Sequence, residues 1–174
     1  NQMIYEFCAE NVTLLEKAME AGARRIELCD NLAVGGTTPS YGVTKAAVEL
    51  AANYDTTIMT MIRPRGGDFV YNELEIAIML EDIRLTAQTG SQGVVFGALT
   101  ADKKLDKPNL EKLIAASKGM EIVFHMAFDE LSDEDQLDAF DWLSQAGITR
   151  ILTRAGVSGD SLEKRFAHYH RILE

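Results

Sequence analysis

Two short stretches of this chain repeat one pattern. Glu6-Phe7-Cys8 and Glu27-Leu28-Cys29 each set a carboxylate and a thiol two residues apart at the end of an apolar run. On a strand, residues i and i+2 share a face, so Glu6 points with Cys8 and Glu27 with Cys29. Two thiolates on neighbouring strands suit Cu(I) or another soft metal. The competing reading makes each cysteine a small buried hydrophobe, since the pair lacks a short Cys-x-x-Cys loop. The glutamates carry more information, because a carboxylate on an apolar strand is costly to bury unless something pairs with it.

Counter-ions follow in Met61-Ile62-Arg63-Pro64-Arg65-Gly66-Gly67-Asp68-Phe69. Arg63 shares parity with Met59 and Met61 and continues their face. A guanidinium fork matches carboxylate or phosphate, and Gly66 and Gly67 let a ligand approach the backbone closely. Arg63 and Arg65 are therefore candidates for an anion clamp, or for an ion pair that neutralises Glu27. A second loop, Gly35 to Gly42, opens a helix whose first N–H groups favour an anion. Ser40 belongs either to that site or to an ordinary helix cap, and the Gly-Lys-Ser/Thr ending of a P-loop is absent. His125 closes another apolar run, with Asp129 four residues on. The imidazole suits proton transfer, and the carboxylate could hold its tautomer.

Other candidates are weaker. His168 and His170, beside Arg165 and Arg171, read as surface or packing residues. Met59, Met61, Met79 and Met120 fall in apolar patterns and read as core, and the acidic run from Asp129 to Asp138 reads as a solvated helix start. There is no Gly-x-Ser-x-Gly elbow, His-Glu-x-x-His helix or EF-hand loop.

The elements that must position these residues alternate. Apolar strand patterns fall at Met3–Cys8, Arg25–Cys29, Thr56–Ile62, Gly93–Phe96, Glu121–Phe124 and Arg150–Thr153. Helical patterns follow each: from an Asn11 cap to Gly22, from Ser40 to Asn53, then Glu73–Thr89, Lys107–Lys118, Asp133–Gln145 and Asp160–Leu173. Six βα units demand parallel pairing. A doubly wound sheet and a TIM-type (β/α)8 barrel both fit. The polar residues Glu27, Arg63, His125 and Thr153 at strand ends favour the barrel, which gathers every C-terminal strand end around one pocket. No Gly-x-Gly-x-x-Gly follows the first strand. Eight units typically need about 250 residues, so the last two are expected to be missing or irregular. Residues 1–174 are expected to form one domain, with Asn1 and Gln2 a remnant foreign to the fold.

The composition of 174 residues sets outer bounds. It is 47% hydrophobic and 25% charged, the balance of a packed globular chain. A net charge of −10 opposes binding to nucleic acid or to acidic membrane surfaces. No apolar run approaches the roughly 20 residues of a membrane span, and no secretory leader is visible. Two cysteines fit a reducing cytoplasm better than a disulfide scaffold.

Taken together, EFCAEN at 6–11, RIELCDNLAVGGTTPSYG at 25–42, MIRPRGGDFVY at 61–71, VVFGALT at 94–100, FHMAFD at 124–129 and RILT at 150–153 resemble the CutC-type copper homeostasis protein family. The resemblance implies a (β/α)8-like barrel, a cytoplasmic protein, a link to copper tolerance, and Cys8 and Cys29 as copper ligands. Two positions depart from the family pattern: Met126 stands where an arginine is usual, and Arg154-Ala155-Gly156 replaces a Ser-Gly. The family also continues into a glycine-rich strand and final βα units that this sequence lacks.

Two functional expectations follow. In one, the protein handles Cu(I) through Cys8 and Cys29, with Met61 or His125 as auxiliaries. In the other, it is an enzyme for a small anionic substrate. There Glu27 or His125 is the acid/base, Glu6 and Asp129 support it, and Arg63, Arg65, Gly66, Gly67 and Ser40 hold the anion. A third expectation is that the rim charges only neutralise one another and the chain acts through protein contacts. A homo-oligomer is compatible with all three.

Overall fold

The computed structural model describes residues 3–153. The helix expected over Asp160–Leu173, its His168 and His170, and Arg154 lie outside these residues. Six strands are β1 (Glu6–Glu10), β2 (Arg25–Cys29), β3 (Thr57–Met61), β4 (Gly93–Phe96), β5 (Glu121–Phe124) and β6 (Arg150–Ile151). Between them run α1 (Leu15–Glu20), α2 (Tyr41–Ala51), α3 (Glu73–Thr89), α4 (Lys107–Ala116) and α5 (Asp133–Ala146). Every strand pairs in parallel with its predecessor in sequence, in the order β1-β2-β3-β4-β5-β6. The order never reverses, so there is no switch point of the doubly wound kind, and the sheet is the curled wall of a (β/α) barrel.

Strand parity divides the core into two layers. Ile26, Leu28, Ile58, Val94, Phe96, Ile122 and Phe124 face outward beneath the helices. Cys29, Met59, Met61, Val95 and Val123 pack together on the inner face. Strands covered on both sides read as continuous apolar runs, which is why β2 to β5 were legible without alternation. Of the methionines expected in the core, Met59, Met61 and Met79 are nearly inaccessible, while Met120 is half-buried and packs against the core from its edge.

Helix starts follow local chemistry. Ser40 accepts the Val43 N–H at the start of α2, and Ser132 accepts that of Asp135 at the start of α5. Asn72 and Glu75 form a reciprocal capping box on α3. Such caps contribute about 1 kcal/mol each. The first unit departs from expectation. Asn11 does not cap α1; its backbone is left-handed (φ 51°), its N–H donates to the Cys29 carbonyl at 2.7 Å, and its side chain donates to Asp30. It thus ties the end of β1 to that of β2, and α1 begins only at Leu15.

Candidate functional site

The late start of β1 moves one candidate. The strand begins at Glu6 and runs past Cys8 to Glu10, where Met3 to Cys8 was expected. In register, Glu6 faces Arg25, Cys8 faces Glu27, and Glu10 faces Cys29. Glu6 therefore lies at the opening of its strand, away from the C-terminal rim, with Arg25 3.8 Å away. This corrects the expectation that Glu6 stands on the rim.

Cys8, Glu27 and Cys29 do come together. The Cys8 thiol donates to one oxygen of Glu27 (Sγ–Oε2 3.7 Å) and the Cys29 thiol to the other (Sγ–Oε1 3.9 Å). Cys8 is exposed and Cys29 buried, and both are free thiols. Burial, followed by the charge of Glu27, pushes the Cys8 pKa up to about 11 and raises that of Cys29 further. Glu27 is 8% exposed, and burial raises its own pKa despite the two thiol donors. Among the described residues, no three His, Cys, Asp or Glu side chains are arranged to hold a metal ion together.

Arg63 stands just beyond β3, 3% exposed. Thr38 fixes its backbone, accepting the Arg63 N–H at 2.8 Å while its own N–H and hydroxyl donate to the Arg63 carbonyl. The guanidinium donates to the carbonyls of Val34 (2.6 Å), Gly36 (3.0 Å) and Gly67 (2.9 Å). It makes no ion pair with Glu27, which answers the neutralisation expectation. Arg65 turns elsewhere: it pairs with Glu75 and Asp68, donates to three loop carbonyls, and lies over the Tyr71 ring. It braces the loop that carries Gly66, Gly67 and Phe69. Ser40 is occupied as the α2 cap.

His125 follows directly after β5 and is fully buried. Its Nδ1 accepts the Ala127 N–H at 3.2 Å, which leaves the proton on Nε2. That backbone donor, and not Asp129, sets the tautomer; Asp129 instead accepts the Thr153 hydroxyl at 2.6 Å. Burial and the nearby Arg63 charge depress the His125 pKa to about 3, so the ring is neutral at physiological pH. Phe69 packs against it at 4.9 Å and lies 5.0 Å from the Arg63 guanidinium. A Cβ on Gly97 would stand 2.6 Å from the imidazole, so only glycine leaves the ring its place. Phe69, Tyr71 and Gly97 were not singled out from sequence. The signal for them was the run of aromatic residues after the Arg63 loop and a lone glycine just past β4.

A parallel, sequentially ordered wall with its polar groups gathered at the C-terminal strand ends defines a protein of the (β/α)-barrel class. The chain belongs to the CutC family, whose model matches residues 3–167. It is 50% identical over 171 residues to a family protein CutC of Enterococcus faecalis, covering 98% of this chain and 82% of that one. The human copper homeostasis protein cutC homolog is 40% identical over 163 residues, covering 94% of this chain and 58% of that protein. The crystal structure of CutC from Streptococcus agalactiae superposes with a TM-score of 0.94 at 44% identity, covering 99% of this chain and 82% of that one. An archaeal fructose 1,6-bisphosphate aldolase, at 17% identity and TM-score 0.62, shares the fold and covers 90% of this chain and 61% of its own. No helix among the described residues is long and apolar enough to cross a membrane.

Proposed function

We propose that this CutC-family chain serves copper homeostasis by taking up Cu(I) between Cys8 and Cys29. One observation carries the reading: two thiols from adjacent strands converge on opposite oxygens of one desolvated carboxylate. Soft thiolates select Cu(I). Both thiols are protonated at neutral pH, so each Cu–S bond must displace a proton. Glu27 already accepts a hydrogen bond from each thiol, and it receives each proton and passes it to water. Met61 adds a thioether nearby, since a Cβ on Gly36 would lie 2.9 Å from the Cys29 sulfur and 3.7 Å from the Met61 methyl. In this reading the chain works as one domain in a reducing cytoplasm, where the cysteines stay free.

The test is an anaerobic Cu(I) titration against a competing chelator, on the wild-type chain and on Cys8→Ser/Cys29→Ser. One-to-one binding that disappears in the double variant supports the reading. Weak binding, or binding indifferent to the cysteines, rejects it.

A further inference from the structure

Three buried polar groups around the Arg63 loop have no hydrogen-bond partner: the Nε of Arg63, the hydroxyl of Tyr71 and the Nε2 of His125. Their residues are 3%, 6% and 0% exposed. A buried polar group left unpaired is destabilising, more so when it is charged, so their grouping calls for a physical reason. They are neighbours. Phe69 contacts both the Arg63 guanidinium and the His125 ring, and the Arg63 charge is felt at both His125 and Tyr71. The Tyr71 hydroxyl oxygen lies close enough to Arg63 to be drawn towards it as an acceptor without completing a hydrogen bond, which leaves the hydroxyl proton free to donate outward.

The chemistry of the three is alike. The His125 tautomer is fixed by Ala127, so Nε2 carries a proton and can only donate. Arg63 is held rigidly by three carbonyls on its terminal nitrogens, which leaves Nε–H as a fixed donor. The Tyr71 hydroxyl can donate as well. Arg63 also carries a buried positive charge with no carboxylate at ion-pair distance among the described residues, and its bonded acceptors are all neutral carbonyls. Rigid donors around an uncompensated cation lack one thing: an oxygen bearing negative charge.

We infer that Arg63, Tyr71 and His125 form a binding subsite for one carboxylate or phosphate oxygen of a small anionic ligand, separate from the thiol pair at Cys8 and Cys29. The subsite uses neither Arg65 nor Ser40, whose polar groups are committed to Glu75, Asp68 and the α2 cap. Phe69 supplies its apolar wall, and the Arg65 brace on the same loop holds Phe69 and Tyr71 in place.

The experiment is a copper-free NMR titration of the ¹⁵N-labelled chain, following the side-chain resonances of His125 Nε2 and Arg63 Nε. Inorganic phosphate and acetate serve as the two probes, and whichever binds more tightly identifies the tetrahedral or planar source. Saturable shifts of both resonances with at least one probe are expected. His125→Asn keeps an acceptor for the Ala127 N–H and removes the Nε2 donor, so affinity should fall at least tenfold. Tyr71→Phe preserves the packing and should weaken binding in the same direction. No saturable shift with either probe in the wild-type chain, or equal affinity in both variants, overturns the assignment. Repeating the titration on Cys8→Ser/Cys29→Ser should give the wild-type affinity, which keeps this result independent of the copper reading.

Discussion

Gly36 stands against Cys29 so closely that a Cβ there would lie 2.9 Å from the sulfur, and its φ of 95° is a conformation that suits glycine alone. The β2–α2 loop therefore presses its backbone onto the buried thiol. Gly36→Ala should cost about 1–3 kcal/mol through strain and crowding. It should lower the thermal midpoint by several degrees, read by calorimetry. Because the Cys29 sulfur must shift, Cu(I) affinity should fall as well, whereas a loop irrelevant to the thiols would lose stability alone.

Replacing Glu27 isolates its effect on the thiols. Its charge is the second cause, after burial, of the raised pKa at Cys8 and at Cys29. Glu27→Gln removes that charge and keeps the shape, so both thiols should ionise at lower pH. A drop of one unit would raise the thiolate fraction, and with it the iodoacetamide rate at pH 8, by about tenfold. Cys8, the exposed thiol, should respond first. An unchanged rate would mean that burial alone governs these cysteines.

The strands and helices were legible because covered parallel strands are apolar throughout and because caps such as Ser40 and Asn72 act locally. Cys8, Glu27 and Cys29 were legible too, as strand parity alone sets Glu27 with Cys29. What failed was register. Nothing in Met3-Ile4-Tyr5 distinguishes a strand from its approach, so the shift that carries Glu6 away from the rim appears only once Asn11 is seen bonded to Cys29 and Asp30. Arg63 was visible as a candidate, but its partners are carbonyls of Val34, Gly36 and Gly67, and a carbonyl leaves no trace in residue type.

Copper uptake should be steeply pH-dependent. With the Cys8 pKa near 11 and that of Cys29 raised beyond it, both thiols hold their protons at pH 6–8. Binding as two thiolates then releases two protons, so the logarithm of the Cu(I) affinity should rise by about two per pH unit. Cys8→Ser should reduce that slope to about one. A flat profile in the wild-type chain would show that copper binds without the thiolates.

His125 makes its own contribution to acid sensitivity. The folded ring has a pKa of about 3, below its ordinary value of 6.5, because burial and Arg63 disfavour the imidazolium. Between these values the unfolded chain binds a proton that the folded chain refuses, so stability is complete above about pH 6.5 and is lost as pH falls towards 3. The loss approaches about 1.4 kcal/mol per pH unit within that window. Glu27, whose pKa is raised, acts with the opposite sign, and the paired carboxylates Asp68 and Glu75 act mainly below the usual carboxylate range. Urea unfolding at pH 7, 6 and 5 on the wild-type chain and His125→Asn separates them. The wild-type stability should fall more steeply than the variant's from pH 6 to pH 5, and parallel curves would show that His125 titrates normally in the folded protein.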